Sequence, residues 1–83
     1  MTDDELIARW IEPNPHKGGK DEARLKRYAI SVWAIAGELQ APGVGVAELA
    51  RDFDVPGEAI EAAAAYYRQH KCLIDNRLRA NAV

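Results

Sequence analysis

The chain is poor in the groups that carry covalent chemistry. Its 83 residues include one serine, Ser31, one threonine, Thr2, one cysteine, Cys72, and two histidines, His16 and His70. A nucleophile needs a base and an orienting group converging on it, and this stock offers almost no such set. Ser31 reads better as a helix cap than as a nucleophile. A lone Cys72 rules out an internal disulfide and any site of several thiolates, and it fits a reducing compartment as a small apolar filler. His70 and Cys72, two apart, would point to nearly opposite sides of a helix and cannot share a metal, and His16 sits in a loop without neighbouring ligands. The carboxylates are spread along solvent-facing helix positions and do not converge. The expectation is a protein that is not an enzyme and has no cofactor or metal.

Other absences narrow the partners. No apolar run approaches the roughly 20 residues that span a bilayer, and the acidic start "MTDDELIARW" is unlike a basic secretory signal, so a cytoplasmic protein is expected. Eleven Lys and Arg against thirteen Asp and Glu leave a net charge of −2, which gives no global positive field for nucleic acid. "HKGGKDE" invites comparison with a phosphate loop and fails it. Asn14 stands where the first glycine belongs and Asp21 replaces the magnesium-holding hydroxyl, so a turn is the better reading of Gly18 and Gly19.

What is present is mostly helical pattern, enough for one small domain with a thin core. "TDDE" predicts a capping box, Thr2 with Glu5, opening a short helix over residues 3–9. "WIEPNPHKGGK" carries two prolines and two glycines, and Trp10 to Glu12 read as a short edge strand before a loop. In "RYAISVW", Tyr28, Ile30 and Val32 alternate with Ala29 and Ser31 in the period of a half-buried strand. Such an arm cannot close a sheet alone, so pairing with the arm of a second subunit, a homodimer, is expected, with Tyr28 and Ile30 in the interface.

From Ser31 as N-cap, "VWAIAGEL" puts Val32, Ile35, Ala36 and Leu39 on one helical face, and "APG" ends that helix. "VGVAELARDF" repeats the spacing with Val46, Leu49, Ala50 and Phe53. Pro56 suits the first turn of the next helix, with Glu58 and Glu61 favourable near its positive end. No breaker follows, so the helix is expected to continue to about residue 80, on the order of 35 Å. Its stripe of Ile60, Ala64, Tyr67, Ile74 and Leu78, flanked by Tyr66 and Leu73, then overruns the core, and Leu73, Ile74, Arg77 and Leu78 need a partner. The alternative is a break near His70 with the helix folding back.

Residues 46–67 match helix-turn-helix packing, with Ala50, Val55 and Ile60 as anchors and Asp54 in place of the usual turn glycine. The face that would read bases is Gly57, Glu58, Ala59, Glu61 and Ala62, which brings carboxylates and methyl groups where Arg, Lys, Asn or Gln are wanted. The cations Lys17, Lys20, Arg24, Lys26 and Arg27 lie in the arm instead. They form a candidate phosphate-contacting patch, the bland reading being that they solvate the arm and pair with Asp21 and Glu22. The expected architecture is mainly α. It comprises a helix-turn-helix-like bundle, homeodomain-like or winged, over residues 31–80, a helix and β arm over 1–30, and a long C-terminal helix.

"WIEPNP" and "GGK" within 10–20, "YAISVWAIAGEL" at 28–39, "VAELARDFDVPGEAIEAAAAYY" at 46–67 and the tail "LIDNRL" together resemble the domain-of-unknown-function 433 family of small bacterial and archaeal proteins. The family's glycine-threonine-arginine before the isoleucine is Arg27, Tyr28 and Ala29 here, and the stretch 21–26 is longer. The resemblance implies an antitoxin-like protein that dimerises, inhibits a PIN-type ribonuclease-like toxin and binds its own promoter. Two other readings stand beside it, a transcriptional regulator using the basic arm and a general protein-interaction domain. An enzyme subunit that borrows its site has no supporting residue.

Overall fold

Four alanines of one helix are the centre about which the chain packs. The computed structural model describes residues 1–81, in the order α1 (Asp3–Trp10), β1 (Ile11–Glu12), a single 3₁₀ turn (Lys20–Glu22), β2 (Arg24–Leu25), α2 (Val32–Leu39), α3 (Val46–Phe53), α4 (Gly57–Gln69) and α5 (Lys71–Asn81). The fold is mainly helical, with one two-stranded antiparallel sheet. Along α4, Ala59, Ala62, Ala63 and Ala65 are fully buried beside Ile60, while α1, α2 and α3 all pack against this helix. Alanine combines the strongest helix propensity with the smallest apolar side chain, so neighbours approach closely from several sides.

Each helix begins where its chemistry allows. In α1 the Thr2 hydroxyl accepts from the Glu5 N–H and the Glu5 carboxylate from the Thr2 N–H, each at 3.2 Å, the capping box expected from "TDDE". Ser31 is the N-cap of α2 by position, without a capping hydrogen bond from its side chain. In α3 the Glu48 carboxylate accepts from the Gly45 N–H. Asp54 ends α3 in the left-handed conformation (φ 56°, ψ 51°), and the Val55 N–H donates to the Ala50 carbonyl at 3.0 Å. Val55 and Ile60 are buried and Ala50 is packed against the core, so the three expected anchors join α3 to α4. Pro56 stands at the N-cap, with α4 starting at Gly57.

The arm pairs within its own chain. Ile11 faces Leu25 and Glu12 faces Arg24 in the antiparallel pair, and a bridge from Arg24 to Ser31 continues the second strand around a tight turn. The alternation expected to make a strand of Tyr28 to Val32 does not do so. Val32 already belongs to α2 and is fully buried, whereas Arg27 and Ala29 have positive φ. The first helix also runs one residue further than expected, to Trp10. With Ile11 and Leu25 buried against the helices, the sheet is anchored without a second subunit.

The continuous helix expected to residue 80 breaks instead at His70, the alternative that the sequence also allows. The chain leaves the helical region there (φ −127°, ψ 37°) and α5 folds back on α2. The described residues extend 28 Å along their longest principal axis, shorter than the about 35 Å of a continuous helix to residue 80. Ile74 is therefore fully buried and Leu78 packs against the core. The Leu78 methyl lies where a side chain at Gly37 would stand, 3.0 Å from an added Cβ. Arg77 forms an ion pair with the buried Glu22, approaches Asp21 at 3.9 Å, and lies 5.0 Å from the centre of the Trp33 ring. Of the stripe expected to meet a partner, Leu73 alone remains well exposed, at 46%. Among the described residues no helix is long and apolar enough to cross a membrane.

A buried Ile74 makes a measurable claim. Ile74→Ala should lower the unfolding free energy by about 2–5 kcal/mol, read from urea denaturation. A loss within about 0.5 kcal/mol, the range of exposed positions, would mean that α5 does not pack on the core.

Candidate functional site

Among the described residues, the tip of the arm, Lys26 to Ala29, with Arg27 to Ala29 exposed, is the one segment whose backbone is held in a costly conformation on both sides of an aromatic side chain. The Leu25 N–H donates to the Ile30 carbonyl at 2.8 Å and the Ala29 N–H to the Leu25 carbonyl at 3.0 Å. Between these bonds Arg27 (φ 71°) and Ala29 (φ 56°) both adopt the left-handed conformation. For residues with a Cβ this costs roughly 1–2 kcal/mol each, and such strain persists where surrounding contacts impose it, often at functional sites. Tyr28, between the two, is exposed at 37%.

Contacts from α1 hold the tip in place. The Lys26 N–H donates to the Trp10 carbonyl at 2.7 Å, and Lys26 Nζ donates to the Ala8 carbonyl at 2.6 Å. The lysine thereby satisfies a carbonyl at the C-terminal end of α1, where the helix dipole favours a cation. Arg9, Trp10, Lys26 and Arg27 line a cleft of about 270 Å³. Trp10 Nε1 donates to Glu58 at 2.8 Å, and Arg9 lies 3.5 Å from the same carboxylate and 5.8 Å from the centre of the indole. Three cations and no carboxylate line this cleft, and the nearby Glu58 is engaged by Trp10 and Arg9. The surplus positive charge suits a carboxylate or phosphate brought by a partner.

The five cations expected to form one patch are divided by the fold. Arg24 is held by Glu12 at 2.8 Å. Lys17 is exposed in the loop after β1. Lys20 lines a separate, mostly apolar cleft of about 360 Å³ with Ile7, Ile11, Glu12, Ala23 and Tyr66. Of the five, Lys26 and Arg27 line one cleft together, and they share it with Arg9, which the sequence does not single out. Nor do the arm's cations pair with Asp21 and Glu22, because Arg77 from α5 takes both.

At the apolar cleft, the Tyr66 hydroxyl donates to the Lys20 carbonyl at 2.7 Å, and the His70 ring stacks on Tyr66 with centres 4.3 Å apart. Burial, and secondarily Asp21, raises the Tyr66 pKa above its ordinary value. Burial, and secondarily Lys20, lowers that of His70. The pair favours its neutral forms and acts as packing. Among the described residues no group of three His, Cys, Asp or Glu is arranged to hold a metal.

The α4 face that a base-reading helix would present, already lacking suitable side chains in the sequence, is covered. Ala59 and Ala62 are fully buried, Glu58 is tied to Trp10, and Glu61 is the exposed member of the set. The cover is α1, whose Leu6, Ile7 and Trp10 pack against the core and whose Asp3 and Asp4 accept from Arg68 (3.0 Å) and Gln69 (2.8 Å) near the far end of α4. The signal for this was present in the sequence as the apolar side of α1, Leu6, Ile7 and Trp10, which needs somewhere to pack. Of the remaining expected interface residues, Ile30 is packed against the core while Tyr28 and Leu73 are exposed.

Comparisons with models of known protein families, with curated proteins and with solved structures return no match.

The strain at the tip is testable apart from any partner. Ala29→Gly should raise stability by about 0.5–1 kcal/mol, the left-handed cost outweighing the extra freedom glycine gives the unfolded chain. A destabilised variant in thermal or urea unfolding would show that Ala29 is unstrained.

Proposed function

We propose that this protein is a non-enzymatic binding module of the antitoxin type, which inhibits a PIN-type ribonuclease-like partner by covering it and makes that contact through the tip Lys26 to Ala29. The observation that carries the reading is the tip itself. An exposed Tyr28 is flanked by two strained residues and adjoins a cleft with surplus positive charge. Tyrosine and arginine are the residues most enriched among those that dominate binding energy at protein interfaces. A rigid tip also loses little conformational freedom on docking.

The resemblance to the domain-of-unknown-function 433 family supports the antitoxin assignment through the order of its segments: an arm, an isoleucine-serine-valine-tryptophan run entering a helix, and a helix-turn-helix-like pair. In this reading α3 and α4 are a helix-turn-helix-like scaffold that holds the arm and reads no bases. The contact differs from the one the sequence suggests, since Ile74, Arg77 and Leu78 serve the chain's own core. Operator binding through the arm would use the same tip cations against phosphate, and salt separates the two uses. Phosphate contacts give a logarithmic affinity loss with slope about −0.9 per contact.

Co-expression with the product of the adjacent reading frame should give a stable complex and relieve its toxicity. Arg27→Ala and Tyr28→Ala should each weaken that complex by about 30-fold or more, with the monomer's unfolding midpoint held nearly constant. Leu73→Ala, at the exposed residue of α5 outside the tip, should leave affinity unchanged. Failure to co-purify together with unrelieved toxicity would remove the antitoxin reading, and equal loss from Leu73→Ala would remove the tip as its contact.

A further inference from the structure

The bend between α4 and α5 is made without a residue that breaks helices. From Glu58 to Asn81 the sequence has neither glycine nor proline, yet His70 leaves the helical region. On one side of it the His70 N–H donates to the Tyr66 carbonyl at 3.0 Å, and on the other the Ile74 N–H donates to the His70 carbonyl at 3.0 Å. The helix stops and restarts with no loop between. The new start at Lys71 faces Lys71, Cys72 and Leu73 toward solvent, so their leading N–H groups lack the helical partners an unbroken helix would give them.

Packing holds the bend. Ile74 fills the core, Leu78 lies on α2 at Gly37, and Arg77 pairs with the buried Glu22 of the 3₁₀ turn. Across the hinge itself, Tyr67 Oη donates to Asp75 at 2.7 Å, and within α5 Lys71 Nζ donates to the same carboxylate at 2.8 Å. Beyond the hinge contacts with α4, α5 packs on α2 and the 3₁₀ turn, and none of those contacts requires α5 to come from the same chain.

We infer that α5 is an exchangeable element, and that the groove between α2 and the 3₁₀ turn accepts the α5 of a second copy of this chain. On straightening at His70, residues 57–81 form one helix, and two such chains each lay Ile74, Arg77 and Leu78 into the other's groove. The complementary groove, including the buried carboxylate that matches Arg77, already exists in each chain, so exchange creates no new interface chemistry. A hinge of zero loop length favours exchange, because straightening restores the helical hydrogen bonds that the bend gives up. The homodimer expected from the sequence thus forms by this route, while the β arms remain paired within each chain.

The test uses the full chain in two charge-reversed forms, Glu22→Arg and Arg77→Glu. Each alone opposes like charges in its own groove. In a mixture, exchange places Arg77 of the first against Glu22 of the second, and the two reversed residues against each other. Co-refolding the pair, one copy isotope-labelled, should yield a heterodimer by native mass spectrometry that is folded by circular dichroism and more stable than either variant alone. Where neither variant folds by itself, rescue in the mixture is the same positive result. In the unaltered sequence, His70→Ala should raise the dimer fraction about two- to threefold at fixed concentration, through the better helix propensity of alanine. A mixture that forms no heterodimer, or one that pairs like and unlike copies equally, would overturn the inference. So would a His70→Ala chain that stays monomeric throughout a dilution series in light scattering.

Discussion

The structure depends on the close approach that α4 permits. Ala59, Ala62, Ala63 and Ala65 present methyl groups on several sides of one helix, and all four are fully buried. A helix so surrounded can serve as the axis of a small domain, because short side chains bring the backbones of α1, α2 and α3 within reach of one another's apolar residues. The same packing covers most of the N-terminal face that a major-groove reader would present. Such a helix needs a free face with donors and acceptors, whereas here α1 lies over that face and the Glu58 carboxylate is tied to Trp10.

The arm and the C-terminal helix follow from that axis. The space left beside α2 is closed by α5, which turns back at His70 to bury Ile74 and to pair Arg77 with Glu22. A buried ion pair adds little stability over a well-packed apolar pair, and its removal from one side leaves an uncompensated charge. Its contribution is to fix the register of α5 against the 3₁₀ turn. At the other end, the C-terminal carbonyls of α1 receive Lys26, and this holds the tip rigidly above Arg9 and Trp10. Scaffold and presented loop are therefore one construction: the helix that covers α4 also supports the tip.

Local signals made some of this legible in the sequence. The capping box at Thr2, the apolar spacing of Val32 to Leu39 and of Val46 to Phe53, and Pro56 ahead of α4 are short-range chemistry, and each element lies where that chemistry puts it. No strand forms at Tyr28 because Ser31 and Val32 carry two signals at once, a strand alternation and a helix start, and burial of Val32 in the helical core decides between them. The bend at His70 has no glycine or proline to mark it, so the sequence offers it only as the alternative to a continuous helix. It arises from Ile74 and Glu22, which lie far apart in sequence. At the candidate site Lys26, Arg27 and Tyr28 could be named from sequence, but Arg9 and Trp10 join them only through the packing of α1.

The central claim is that α1 is an integral cover of α4, not a loosely attached arm. Native-state amide hydrogen exchange tests it most directly. The account predicts that the helical amides of Ile7 to Trp10 open with nearly the same free energy as those of Ala62 to Tyr66, as members of one cooperative unit. Exchange of the α1 amides faster by about 100-fold or more, equivalent to an opening about 2.7 kcal/mol easier, would show that α4 is transiently uncovered and would contradict the account.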